Sequence, residues 1–296
     1  MDRFERLTMV TFSQSLVGAC SLVALLACAC GGSAEDSAGD PFGTDKVDPI
    51  LLGPDSELGH GEMTGSGSTD ERYMNVDVTR NGRNYRLMTN GWGPGWESHT
   101  ISWNGTAFVV ESLLGSEGAD YEPAAYPTEF CGQYSTDRSG ECGLPADIAS
   151  LASVKTGWWW DPHDNAGEFN AAYDVWLSDG SGSLTGYFMV WYRLPPGQYP
   201  AGDRKEVVSV GDIPGKWSIY EGFVWDSRPI INYVRNQGSD THALEFDLMD
   251  FIHDAEDRGY VLPGNQILSV AVGFEIWNGP IANLETKDFY VEVESK

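Results

Sequence analysis

Positive charge is scarce in this sequence. Its 296 residues include 18 Lys and Arg against 44 Asp and Glu, so the formal net charge is −26. This balance argues against nucleic acid or an anionic membrane surface as a partner, because both repel an acidic protein. The five histidines are scattered, and none has metal-ligand spacing with a cysteine. No glycine-rich phosphate loop follows a strand and opens a helix. We therefore expect neither a metal nor a cofactor.

A membrane-spanning run is also missing from the N-terminus. The apolar run at residues 16–29 is too short to cross a bilayer comfortably and is typical of a signal-peptide core. It ends in Leu-Leu-Ala-Cys28, which resembles a bacterial lipobox, and Cys30 is a second candidate for lipidation. We predict a signal peptide of lipoprotein type over residues 1–30. The protein would then be secreted or held at a bacterial cell surface by its N-terminal lipid, with a plain secretory signal as the alternative.

Residues 31–70 contain little that could form a core. The segment is acidic and rich in Gly and Ser, and Lys46 is its only Lys or Arg. Such a composition cannot bury enough apolar surface to fold alone. We predict a linker over residues 31–70 and one domain over residues 71–296, since about 225 residues can bury a large core.

Two cysteines remain once the signal is removed, Cys131 and Cys142, with ten residues between them. Their spacing in an exported domain indicates a disulfide. Two free thiols are the alternative.

Helix-forming sequence is scarce too, whereas short alternating segments recur between turns rich in Gly and Pro. One helix stands out. Asp247 can cap it, Leu248, Phe251, Ile252 and Ala255 form its apolar stripe, and Gly259 ends it. The pattern predicts an all-β fold: a two-sheet jelly-roll sandwich, concanavalin-like, with a concave cleft and one short helix.

The stretch around Val270–Gly279 carries the first functional signal. Leu268, Val270, Val272, Phe274 and Ile276 would face the core, while the alternate side bears small residues that lead to Glu275 and Trp277. A carboxylate beside an indole suits a sugar, which stacks on the indole while the acid acts on the glycosidic oxygen. The same alternation on other strands places further side chains on the concave face: Asn170, Asp174, Trp176, Tyr187, Met189 and Trp191. Of Trp158-Trp159-Trp160, we assign one or two to the cleft.

Several motifs together resemble glycoside hydrolase family 12. They are Asn90-Gly-Trp-Gly93, Ala125–Cys131 followed by Cys142-Gly-Leu-Pro145, Asn170-Ala-Ala-Tyr-Asp174, Met189-Val-Trp191, the helix and Val272–Trp277. They occur in family order from about residue 73 onward. The resemblance implies a jelly roll that cleaves internal β-1,4 bonds of glucans or xyloglucan with retention of configuration. We therefore expect a β-glucan or xyloglucan partner and a monomeric protein.

The resemblance also implies roles for individual residues. Glu275 matches the family's general acid/base, and Asp174 matches the Asp that supports the nucleophile. The residues that match or resemble substrate-binding positions are Trp92, Asn170, Met189, Trp191 and Trp277. Ile276 departs from the usual Pro after the acid/base.

The nucleophile is the serious departure, because Tyr187 stands where the family has Glu. Three interpretations remain open. In the first, the protein binds a glucan without cutting it. In the second, it is a hydrolase with altered chemistry, in which Asp174 activates water with inversion or Tyr187 is itself the nucleophile. In the third, another carboxylate, Glu206 or Glu221, enters the cleft.

Overall fold

The computed structural model describes residues 50–119, 121–165, 167–224, 227–235 and 240–296. The predicted signal peptide, with Cys28 and Cys30, and the first part of the predicted linker lie outside these residues. In the described part of the chain, no helix is long and apolar enough to cross a membrane.

Strands make up most of the regular structure, as the alternating pattern predicts. They are, in chain order, β1 (Ile50–Leu51), β2 (Met63–Thr64), β3 (Ser66–Thr69), β4 (Asn75–Arg80), β5 (Arg83–Met88), β6 (Trp96–Asn104), β7 (Ala107–Gly115), β8 (Thr128–Tyr134), β9 (Asp137–Arg138), β10 (Ala146–Asp147), β11 (Leu151–Asp161), β12 (Glu168–Phe169), β13 (Ala171–Ser178), β14 (Leu184–Arg193), β15 (Asp203–Val208), β16 (Trp217–Val224), β17 (Arg228–Arg235), β18 (Ala243–Asp247), β19 (Gln266–Gly273), β20 (Ile276–Asn278) and β21 (Ile281–Ser295). Helix α1 spans Leu248–Asp257, and a 3-10 turn spans Ile148–Ser150.

Two large sheets form the sandwich. The seven-stranded sheet has the order β1-β18-β11-β21-β7-β6-β3. The twelve-stranded sheet runs β15-β16-β17-β14-β13-β19-β8-β5-β4-β2, with β10 beside β19 and β9 beside β8. Most neighbours are antiparallel, whereas β14 pairs with β17 and β1 pairs with β18 in parallel. This architecture confirms the predicted all-β sandwich.

Local sequence signals were reliable. The hairpin of β6 and β7 turns at Asn104-Gly105, and Gly105 takes a positive φ of 58°. The Asp247 side chain caps α1 by accepting a hydrogen bond from the backbone N–H of Met249. Cys131 and Cys142 form the predicted disulfide, with Cα atoms 5.8 Å apart.

The interior and the outer face of the twelve-stranded sheet are both apolar. One cluster fills the space between the sheets, and a second covers the outer face of the larger sheet. Trp158 and Trp160 belong to the interior cluster. Trp159, on the other face of β11, lies under the Lys287 ammonium, 5.3 Å from the ring centroid. Our assignment of one or two of these tryptophans to the cleft is wrong, because β11 belongs to the seven-stranded sheet.

Strand β19 departs from strict alternation at both ends. The register against β13 shifts between Trp176 and Leu177, and Leu268 consequently packs in the outer-face cluster rather than in the core. At the other end the strand stops at Gly273, so Glu275 lies in the break before β20 rather than within a continuous strand.

Residues 50–69, predicted as linker, pack against the domain. Strand β1 pairs with β18, β2 with β4 and β3 with β6, so this segment contacts both sheets. Leu58 is buried, and the N–H of Gly59 donates to the buried carboxylate of Asp288 at 2.8 Å. The segment is too polar to fold alone, but existing strand edges supply partners for its backbone.

Candidate active site

The outer face of the twelve-stranded sheet, which we call the cleft face, gathers most of the predicted site. Its cluster comprises Tyr126, Phe130, Tyr134, Ala172, Trp176, Tyr187, Met189, Trp191, Tyr220, Ile230, Val234, Leu268, Ala271 and Trp277, with Met88, Trp92, Leu184, Leu194 and Val224 packed against it. The predicted substrate-binding side chains Trp92, Met189, Trp191 and Trp277 are therefore brought together. A face with this many aromatic rings offers stacking surfaces for sugars.

Two tryptophans, Trp191 and Trp277, form one of its aromatic pairs. The ring centroids of Trp191 and Trp277 are 6.1 Å apart, and the indole N–H of Trp277 donates to the carbonyl of Tyr121 at 2.9 Å. The two residues retain 2% and 5% of their exposure, respectively. Their orientations are thus set by packing and by a backbone hydrogen bond before any ligand arrives.

Asn170 fixes the position of Glu275. The N–H of Asn170 donates to the Glu275 carbonyl at 2.9 Å, and the N–H of Glu275 donates to Asn170 Oδ1 at 2.8 Å. The Asn170 Nδ2 group also donates to Glu275 Oε2 at 2.5 Å. These bonds hold a side chain that follows the end of β19, where strand pairing no longer restrains it.

The surroundings of the Glu275 carboxyl group favour its protonated form. Burial of its carboxyl group and the nearby charge of Asp174 raise its pKa to about 8, although the bond from Asn170 acts in the opposite direction. A carboxylic acid that is protonated near pH 7 can donate its proton to a leaving group.

Asp174 lies on β13 between Met189 of β14 and Ala271 of β19. The hydroxyl of Tyr134 and the indole N–H of Trp176 both donate to its Oδ2 atom, each at 2.8 Å. Its Oδ1 atom is buried and has no hydrogen-bond partner among the described residues. Burial raises the pKa of Asp174 to about 6, against the effect of both hydrogen bonds, so this carboxyl is mostly ionised at pH 7.

Tyr187 lies on β14 opposite Trp176 and has 8% of its surface exposed. Burial raises its pKa well above 10, and the charges of Asp174 and Glu275 raise it further. Those charges show that Tyr187 shares the electrostatic environment of both carboxyl groups. A phenol in this environment remains protonated at neutral pH, which does not suit a nucleophile.

The two alternative carboxylates pair with Arg258, the residue that follows α1. Glu206 and Glu221 lie on β15 and β16, and both accept hydrogen bonds from Arg258 Nη1, at 2.8 and 3.2 Å. The third interpretation of the missing nucleophile therefore gains no support from these residues.

Sequence reasoning missed two tyrosines of this site. Tyr134 bonds to Asp174 from 40 positions away, and Tyr126 is buried near enough for the charge of Asp174 to raise its pKa. Trp176 was placed on the correct face, but its bond to Asp174 was not foreseen. The i, i+2 spacing of Asp174 and Trp176 on one strand face was the available signal.

A possible metal-binding group lies on the seven-stranded sheet. Single ligand atoms of Asp161, His163 and Glu285 are within 4.8 Å of one another. His163 Nε2 is 3.1 Å from Glu285, and Lys287 Nζ is 2.8 Å from Asp161. Asp161 already pairs with Lys287, and Glu285 already contacts His163, so the group is explained as a surface network of polar contacts.

Comparison with known proteins agrees with the geometry. The protein-family model described as Glycosyl hydrolase family 12 matches residues 84–294 of this sequence. A xyloglucan-specific endo-beta-1,4-glucanase of Emericella nidulans is 26% identical over 208 residues, covering 69% of this chain and 75% of that protein. The structure of an endoglucanase from Rhodothermus marinus is 30% identical, with a TM-score of 0.67 over 78% of this chain and 100% of that one. A metagenome-derived family 12 endoglucanase is 28% identical, with a TM-score of 0.69 over 79% and 100%.

The family match extends over more than half of the chain, and it includes both strands that carry Asp174 and Tyr187 as well as Glu275. The chain belongs to glycoside hydrolase family 12.

Proposed function

We propose that this protein hydrolyses β-1,4-linked glucan chains, xyloglucan among them, with Glu275 as the general acid. The names of its relatives indicate the substrate class, since those matched include xyloglucan-specific endo-β-1,4-glucanases and endoglucanases. The observation that carries the proposal is the placement of Glu275. Asn170 clamps it, and it directly precedes β20 with Trp277. Burial and the charge of Asp174 raise its pKa to about 8, which favours the acid form.

The chemistry follows from that arrangement. A glucose ring stacked on the cleft-face indoles would bring its glycosidic oxygen toward Glu275, which donates its proton as the C–O bond breaks. Asn170 supports this step because it prevents the carboxyl group from turning away. Met189, Trp191 and Trp92 would hold sugar rings along the same face.

A second candidate function is binding without cleavage. The observation that favours it is Tyr187, a buried phenol at the family's nucleophile position. A retaining glycosidase needs two carboxyl groups about 5–5.5 Å apart, and this chain lacks the usual second one. The aromatic face alone would still bind a glucan.

We also propose that the protein is exported and acts as a monomer. The disulfide between Cys131 and Cys142 supports an oxidising compartment. Attachment through a lipid on Cys28 or Cys30 is part of this proposal. Globomycin should cause the precursor to accumulate in a lipoprotein-processing host, and unchanged processing would indicate simple secretion.

The test of function compares the full-length protein with Glu275→Gln and Tyr187→Glu on soluble β-glucan and xyloglucan. We expect release of reducing ends by the parent and its loss in Glu275→Gln, with oligosaccharide affinity retained in calorimetry. A silent parent that binds oligosaccharide, together with activity gained in Tyr187→Glu, would instead establish the binding function. Asp179→Asn, an exposed change beyond β13, serves as the control.

A further inference from the structure

The site raises a specific chemical question. Glycoside hydrolysis uses two carboxyl groups, one to protonate the leaving oxygen and one to act at the anomeric carbon. Glu275 fulfils the first role in the proposed function, and Tyr187 occupies the place of the second. The charges of Asp174 and Glu275 raise the pKa values of both Tyr187 and Tyr126, so the two carboxyl groups lie near the same pair of tyrosines.

We infer that Asp174 is the second catalytic carboxylate, acting as the general base that deprotonates the attacking water, so that this protein inverts the anomeric configuration. The inference rests on the proposed hydrolase function and extends it. It gives Asp174 a direct role in the reaction, in place of support for a nucleophile that this chain lacks.

One carboxylate oxygen of Asp174 has free lone pairs. Both donors, Tyr134 and Trp176, bind Oδ2, and Oδ1 is left buried without a partner in the described part of the chain. A buried acceptor without a donor is unfavourable, and a water molecule is the usual partner that satisfies it. An oxygen that is held in place but not satisfied is what a base for water requires.

Asp174 also lies on the strand between those that carry or lead to the other two site residues. Strand β13 lies between β14, which carries Tyr187, and β19, which leads to Glu275. Beside Asp174 and its neighbour Ala172, β19 presents only Ala271 and Gly273. Neither of these β19 residues has a side chain long enough to contact the end of the Asp174 carboxylate from that strand.

Two donors fix the orientation of the Asp174 side chain. The rings of Tyr134 and Trp176 pack with centroids 4.3 Å apart, and both donate to the same oxygen. The two residues therefore hold the carboxylate rigidly and favour its ionised form. We assign Tyr134 and Trp176 as positioning residues that act through Asp174.

Electrostatics separate the two acids in the direction that this mechanism needs. The groups around Asp174 are Tyr134 from β8, Tyr126 before β8, Tyr187 from β14 and Glu275 after β19. The tyrosines are neutral, because burial raises the pKa of each one well above 10. Asp174, with a pKa of about 6, ionises before Glu275, with a pKa of about 8, so one base and one acid coexist near pH 7.

The reaction balances with water as the only co-reactant. The water oxygen forms a bond to the anomeric carbon while the bond from that carbon to the leaving oxygen breaks. Asp174 Oδ1 takes a proton from the water, and Glu275 gives its proton to the leaving oxygen. Exchange with solvent then returns Asp174 to the ionised state and Glu275 to the protonated state.

The deciding experiment follows the anomer formed by the full-length protein. Proton NMR during hydrolysis of a β-1,4-gluco-oligosaccharide or xylogluco-oligosaccharide should show the α-anomer first. Asp174→Asn should lower kcat about 10²–10⁴-fold, the usual contribution of a general base, while Asp179→Asn should leave kcat unchanged. In Tyr134→Phe, the acidic limb of the kcat/KM profile should move to higher pH, because an ionised carboxylate loses a donor.

The possible outcomes distinguish the role of Asp174 from the hydrolase function on which it rests. Initial formation of the β-anomer, or activity in Asp174→Asn within a few fold of the parent, would overturn the inference while the protein remained a hydrolase. A parent without activity on any of these substrates would overturn the hydrolase function and the inference with it. If Asp174→Asn does not fold by circular dichroism, the anomer formed by the parent still decides.

Discussion

Two buried acids lie on opposite faces of the same twelve-stranded sheet and have opposite surroundings. Glu129 of β8 points into the sandwich interior, where the Arg80–Asp288 ion pair connects the two sheets. Asp174 of β13 points to the cleft face, toward Tyr134 and Trp176. Both carboxyl groups are buried, yet only the second has side-chain donors that favour its charge.

The interior ion pair is closed to further partners. Asp288 accepts from Arg80 Nε at 2.8 Å, Arg80 Nη2 at 3.0 Å, Thr106 Oγ1 at 3.0 Å and the N–H of Gly59 at 2.8 Å. Neither oxygen of Glu129 has a hydrogen-bond partner among the described residues. Burial and the charge of Asp288 raise the pKa of Glu129 well above its usual value, which favours its neutral form.

The comparison shows what distinguishes a reactive acid from a structural one. Asp288 pairs with Arg80 and accepts hydrogen bonds at both oxygens, whereas Glu129 has no hydrogen-bond partner in the described part of the chain. Neither residue therefore combines a restrained carboxyl group with an unsatisfied oxygen. Asp174 and Glu275 are each held through one oxygen and titrate near pH 6 and pH 8. Chemistry is expected where restraint and incomplete bonding occur together.

The largest effect should come from opening the interior ion pair. Arg80→Met leaves the buried carboxylate of Asp288 without its counter-charge, which should lower the free energy of unfolding by about 3–5 kcal/mol. Urea denaturation measures this loss. Lys205→Met, which removes an exposed partner 3.5 Å from Asp203, is the control and should change stability by less than about 1 kcal/mol. Equal losses in both variants would contradict the comparison.

Replacing Glu129 should stabilise the protein. Glu129→Leu removes a buried polar group without partners, and the gain in unfolding free energy should be about 1–3 kcal/mol. The pKa of Glu129 is higher in the folded state than in the unfolded state. The part of the free energy of unfolding that depends on its proton is therefore fully present below the unfolded pKa of about 4.3, and it is lost as pH rises through the folded pKa. The gain should therefore widen from pH 4.5 to pH 7.5. Glu129→Gln separates the loss of titration from the change in packing, and a gain that narrows with pH would argue against a neutral Glu129.

Truncating an indole of the cleft face should weaken binding without unfolding the protein. Trp277→Ala and Trp191→Ala should each reduce oligosaccharide affinity by about 1–3 kcal/mol, as expected for aromatic anchors. Calorimetry with a gluco-oligosaccharide or xylogluco-oligosaccharide measures the change. Trp159→Ala on the other sheet is the matched control, and an equal loss there would remove the cleft face as the binding surface.

The smallest effect concerns the donors of Asp174. Removing the Tyr134 hydroxyl should raise the pKa of Asp174, because the ionised form loses a hydrogen bond. Asp174→Asn should conversely lower the pKa of Glu275, because a neighbouring negative charge disappears. A carbon-detected NMR titration of the carboxyl groups follows both shifts. Tyr220→Phe, in the same cluster, should leave both pKa values unchanged.

Much of the fold was readable because alternation and caps act locally. The β6–β7 hairpin, the Asp247 cap and the cleft-face residues of β13 and β14 all follow from short patterns. Alternation also placed Glu275 beside Trp277 and Asp174 on the concave face, and the resemblance to the family supplied their roles.

The remainder depended on contacts between distant parts of the chain. Asn170 bonds to Glu275 across 105 positions and Tyr134 to Asp174 across 40, and alternation does not encode which strands become neighbours. The register shift at Leu268 and the pairing of residues 50–69 have the same origin. The three consecutive tryptophans misled us because their alternation gives no indication of which sheet contains them.

The pairing of β1 with β18 has a consequence for where the chain enters the domain. The described chain begins at Ile50 on the edge of the seven-stranded sheet, whereas the cleft face belongs to the other sheet. The chain therefore enters the described domain at an edge of the sheet that does not carry the cleft face, so the aromatic surface and the point of entry belong to different layers of the sandwich.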